Sequence, residues 1–83
     1  MATNNDVKFA FRQGGRASSA NLQSDGVSLW SYGWWEIARH VNGAIITRKG
    51  SSYSTTTATK HRPGVYGVEA EQETPGSQGV MNL

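Results

Sequence analysis

Eighty-three residues allow one domain, because a chain this short buries only about 60–65% of its unfolded surface. The chain has no cysteine and a net charge of +2, which removes disulfide staples, thiolate metal sites and thiol nucleophiles and favours a reducing compartment over a secreted one. No run reaches the roughly 20 apolar residues of a membrane helix, and the Met1–Asp6 segment lacks the charged and apolar regions of a secretory leader, so a protein off the membrane is expected.

Residues 1–65 hold eight Lys/Arg against three acids, whereas residues 66–83 hold three Glu and no base. A basic body of this kind suits nucleic acid or an acidic protein surface, although many ordinary domains share it. From Val7 to Arg12 the residues Val-Lys-Phe-Ala-Phe-Arg alternate as a half-buried strand would. Gln13 to Ser24 has no period and reads as a loop with Leu22 anchored in the core, closed by a turn at Ser24-Asp25-Gly26. A second strand is expected from Val27 up to Gly33, where the glycine marks a bend.

The third strand, Trp34 to Val41, sets Trp35, Ile37, Arg39 and Val41 against Trp34, Glu36, Ala38 and His40. Asn42-Gly43 then predicts a two-residue type I′ hairpin, because both central positions need positive φ. That loop sets Val41 opposite Ala44, His40 opposite Ile45, Arg39 opposite Ile46 and Ala38 opposite Thr47, and it would make Glu36 and Lys49 a cross-strand ion pair. Tyr53 to Thr59 favours a further strand by β-branching, although its hydroxyls could equally cap a short helix, and passes into an irregular turn at Lys60-His61-Arg62; Pro63-Gly64 stops it, and Val65 to Val68 fits a short last strand. The fold class is therefore mainly β: a small single-domain antiparallel sheet of four or five strands built on the hairpin Trp34 to Lys49. It is a domain of residues 1–68 with irregular ends, and 69–83 forms an acidic tail that is flexible or ordered by a partner.

The chemistry on offer is sparse. His40 and His61 have no carboxylate or second histidine at a metal-ligand spacing. No strand-turn-helix elbow surrounds any serine, and Gly14-Gly15 lacks the helix and Lys-Ser/Thr of a phosphate loop. No catalytic residue, metal ligand or cofactor site is expected, and the chain reads as non-enzymatic. Trp35 is the core candidate of the adjacent pair and Trp34 the surface candidate, since alternation forbids both from pointing inward. Trp34, Arg39, Arg48, Lys49, Lys60, His61 and Arg62 are the candidate binding residues. They could form a basic aromatic face that stacks on bases and contacts phosphate, or a surface for a protein partner.

Ala20-Asn21-Leu22, Leu29-x-Ser31-Tyr32-Gly33, Ile37-Ala38 and Tyr53-Ser54-x-Thr56-Thr57 with Lys60-His61 resemble a small family of uncharacterised proteins from phages and archaeal viruses. The resemblance spans about residues 16–62. The chain departs from it in placing Ala58 and Thr59, two residues, between Thr57 and Lys60, and in continuing from His61 into Arg-Pro-Gly. The resemblance implies a viral setting, in the host cytoplasm or the virion, and no activity. Together these point to a protein that acts by protein–protein binding, as a virion component or an inhibitor of a host complex. Sequence-independent nucleic-acid binding is the alternative, and self-association is compatible with either.

Overall fold

Thr3 caps the first helix. Its hydroxyl accepts the Asp6 N–H at 3.1 Å while the Asp6 carboxylate accepts the Thr3 N–H at 2.9 Å, a reciprocal cap that satisfies two of the orphan donors at a helix start. Behind it runs helix α1, Asn4–Arg12, so the strand expected over Val7 to Arg12 is corrected to a helix. Val7 and Phe11, four residues apart, lie on one face and are fully buried, with Lys8 buried beside them, whereas Phe9 is 58% exposed. The apparent alternation of Val7, Phe9 and Phe11 was a helical i, i+4 pair with one surface phenylalanine between its members.

The structure, a computed structural model, describes residues 2–49 and 56–83. After α1 come β1 (Arg16–Ser18), β2 (Leu22–Asp25), β3 (Ser28–Ser31), β4 (Trp35–Val41), β5 (Ala44–Lys49), a π-helical turn (Thr57–His61) and β6 (Val68–Glu73). The molecule is mainly β: one six-stranded sheet in the order of the chain, antiparallel from β1 to β5 and parallel between β5 and β6. β1 and β2 occupy the stretch expected to be loop; at three and four residues they are too short to display a period.

The hairpin forms as its turn residues require. Asn42 and Gly43 have φ of 51° and 82°, and all four pairs from Val41–Ala44 to Ala38–Thr47 take the expected register. Between β3 and β4 the pairing steps from Leu29–Ala38 to Trp30–Glu36, leaving Ile37 as an extra residue of a β-bulge. The bulge brings Glu36 and Arg39 to the same side, where they form an ion pair at 2.6 Å. Glu36 is thereby taken from Lys49, its expected cross-strand partner, and Lys49 instead lies opposite Glu73 of β6.

The core contains Val7, Phe11, Leu22, Leu29, Trp35, Ile37, Ala38 and Val65. Burial of each large member is worth about 1.5–3 kcal/mol. The expected strand at Tyr53–Thr59 lies partly outside the described residues, and its end belongs to the π-helical turn. Lys8 fastens that turn to α1, its ammonium donating to the carbonyls of Lys60 and Pro63 at 2.8 and 2.5 Å. Val65 enters the core singly, and strand pairing begins only at Val68.

The stretch 69–83, expected as a separate tail, packs on the rest of the molecule instead: residues 69–73 belong to the sheet and 74–83 cross over it. It completes β6, buries Ala70, Thr74 and Met81, and returns across β4 as a strap. There the Gly79 carbonyl accepts the Glu36 N–H at 2.8 Å, and Asn82 N–H reaches Thr74 Oγ1 at 2.9 Å. Gly79 lies so close to Trp34 that a Cβ would overlap the Trp34 carbonyl oxygen.

Candidate functional site

Three polar or apolar constellations arise from this fold. The first is centred on Glu36, which is 1% exposed. Its carboxylate accepts from Ser28 Oγ at 2.6 Å, Arg39 Nε at 2.8 Å, Arg39 Nη2 at 2.6 Å and the Met81 N–H at 2.9 Å. Burial opposes its ionisation, but the donors from Arg39, Ser28 and Met81 outweigh that and hold its pKa below the ordinary carboxylate value. Arg48 stacks 3.7 Å over the Trp35 ring, donates Nε to the Glu36 carbonyl at 2.6 Å and Nη2 to the Gly79 carbonyl. A carboxylate saturated by four donors has no lone pair to offer a substrate. The cluster locks the strap to the sheet.

The second unites Ser31, Thr57 and His61, buried to 0%, 1% and 2% exposure. Ser31 Oγ lies 2.7 Å from His61 Nδ1 and 2.8 Å from Thr57 Oγ1, and the Tyr32 ring packs on the imidazole with centroids 5.4 Å apart. The segments Ser31-Tyr32-Gly33 and Thr56-Thr57…Lys60-His61 thus meet in space. Burial, and then the positive charge of Lys8, push the His61 pKa below its ordinary value. The serine and histidine pair as a nucleophile and base would, and both are enclosed. This trio instead clamps the β5-to-β6 crossover onto β3.

The third lies at the β6 margin. A groove of about 280 Å³, lined by the apolar Val41, Ile46, Val68, Ala70 and Leu83 together with Glu69 and Glu71, is too small for a large cofactor and suited to one or two side chains. Val68 and Leu83 stand 63% and 56% exposed, and Tyr66, at the approach to β6, 75%. Glu69, Glu71 and Glu73 alternate along the strand, all exposed.

The expected basic aromatic face does not assemble in one place. Arg39 and Arg48 are spent internally on Glu36 and the strap, and Trp34 rests edge-on to Trp35, with ring centroids 5.6 Å apart, beneath Gly79. Lys49 lies beside β6, donating to the Glu71 carbonyl at 3.4 Å. His61 is buried, Lys60 offers its carbonyl to Lys8, and Arg62 Nη1 donates to the Val65 carbonyl at 2.8 Å. Of the seven, the structure brings together Trp34, Arg39 and Arg48 around the strap and Lys60, His61 and Arg62 at the π-helical turn. The β6 margin escaped sequence reasoning because its valines and glutamates had been assigned to a last strand and a tail; the alternation Val68-Glu-Ala-Glu-Gln-Glu73 was the signal that could have found it.

Comparisons with family models, with curated proteins and with solved structures return no match.

Proposed function

We propose that this protein is a non-enzymatic protein-binding module whose contact surface is the β6 margin: Tyr66, Val68, Leu83 and the groove between them and β5. The observation that carries this reading is the distribution of exposed large apolar side chains. Among the described residues Tyr66, Val68, Val80 and Leu83 make up half of them, drawn from the last 18 positions of the chain. Val68 and Leu83 line the groove itself, and exposed apolar residues gathered at one margin cost solubility unless a partner covers them.

The viral setting, as a virion component or an inhibitor of a host complex, rests on the resemblance of the Ser-Tyr-Gly and Thr-Thr…Lys-His segments to phage and archaeal-virus proteins. The burial of Ser31, Thr57 and His61 supports a structural role for those segments, in keeping with a role without turnover.

The test uses tagged full-length protein expressed in its native source. Unmutated protein is expected to retain a defined partner at fixed stoichiometry, and Tyr66→Ser/Val68→Ser/Leu83→Ser to lose it while Phe9→Ser, on the far helix, keeps it. Equal recovery of that partner by the triple variant would overturn the reading.

A further inference from the structure

We infer that β6 is a strand-addition site for an extended basic segment of the partner protein. This deepens the protein-binding reading and rests on it. β6 is the outermost strand of the sheet, and among the described residues its strand pairing goes to β5 alone. The N–H and C=O groups that face away from β5 are therefore presented to whatever lies outside. β6 has six residues, with a shift in its register against β5 between Glu69 and Glu73, and gives an extended peptide a run of backbone to pair with. The opposite edge, β1, has three residues and offers no comparable length.

Charge selects the occupant. Three of the chain's six acids lie on this strand, alternating with Val68, Ala70 and Gln72. The ion pair found among the described residues is Arg39–Glu36, so the three glutamates enter no such pair there. A segment alternating Lys or Arg with apolar residues matches both features, because the groove itself joins Val41, Ile46, Val68 and Ala70 to the carboxylates of Glu69 and Glu71: its apolar side chains meet the former and its cations the latter, with Glu73 at the end of the strand. A second copy of this chain fits poorly, because β6 against β6 gathers six carboxylates into one ladder and like charges across strands destabilise pairing. The same carboxylates repel nucleic acid.

The experiment uses the full chain and two short labelled peptides, one alternating lysine with valine and one alternating glutamate with valine, followed by fluorescence anisotropy and amide hydrogen exchange. The basic peptide is expected to bind, to weaken as salt rises, and to slow exchange at the β6 amides; the acidic peptide is expected not to bind. Glu69→Gln/Glu71→Gln/Glu73→Gln changes only exposed side chains, so the fold is kept, and it is expected to weaken the basic peptide about tenfold. Equal binding of both peptides, unchanged affinity of the glutamine variant, protection away from β6, or dimerisation of the unmutated chain through β6 would each overturn the inference. Should the native partner be lost with Tyr66→Ser/Val68→Ser/Leu83→Ser yet held at full affinity by the glutamine variant, the protein-binding reading stands and strand addition falls.

Discussion

Replacing Glu36 by glutamine tests whether the buried carboxylate holds the strap. The substitution keeps the shape and removes the charge to which Ser28, Arg39 and Met81 donate four hydrogen bonds. Hydrogen bonds to a charged group contribute about 1.5–3 kcal/mol each, and stripping one partner from a fully buried ion pair costs about 3–5 kcal/mol. Arg39 retains 26% exposure, so water recovers part of that loss, and the glutamine amide still accepts from one or two donors. The expected destabilisation is therefore ~2–3 kcal/mol, set against about 4–12 kcal/mol for a domain of this size. Urea unfolding followed by tryptophan fluorescence reads it, because Trp34 and Trp35 lie beside the strap. Amide exchange at Met81 should accelerate before the rest of the sheet is affected. A loss below ~0.5 kcal/mol, the level of an ordinary surface substitution, would refute the claim that Glu36 holds the strap to the sheet.

Gly79→Ala is expected to dislodge the strap by driving a methyl into the Trp34 carbonyl, seen as faster exchange at Glu36 and Met81 while the Asn42-Gly43 hairpin stays protected. Asn42→Ala should cost ~1 kcal/mol in urea unfolding, since its φ of 51° strains a Cβ residue lacking a polar side chain, whereas Asn42→Gly should be near neutral. For His61 the folded pKa is depressed, so the unfolded chain binds the proton first. Its contribution to stability is full above the unfolded value near 6.5 and is lost as pH falls from there toward the folded pKa. Urea midpoints measured across that window should fall with pH in the unmutated protein and flatten in His61→Gln.

The hairpin was legible in the sequence because Asn42-Gly43 encodes its geometry locally, with no help from distant residues. Trp34 and Trp35 divide as expected, at 37% and 1% exposure, but for another reason than strand alternation: Trp34 lies in the turn before β4, and Trp35 to Ala38 are all buried. What escaped depends on competition between patterns or on contacts far apart in the chain. Val7, Phe9 and Phe11 satisfy a strand period as well as a helix pair, and Thr3 with Asp6 decides for the helix through a cap that an apolar count does not register. The bulge at Ile37 reverses the partner of Glu36, and no local residue announces it. β6 is half glutamate, which lowers strand propensity, and it forms because Ala70, Thr74 and Met81 gain burial against a sheet made some 30 residues earlier. The candidate binding residues fared likewise: spacing could bring arginines together, but it could not tell that Arg39 and Arg48 would be consumed by Glu36, Trp35 and Gly79.

The central claim, that the β6 margin is the partner-binding surface, is tested most directly by hydrogen exchange on the complex recovered from the native source. Slowed exchange confined to Val68–Glu73 and the adjoining Leu83 is the predicted result. Slowed exchange on the exposed face of α1 or along β1, with β6 unchanged, would contradict it.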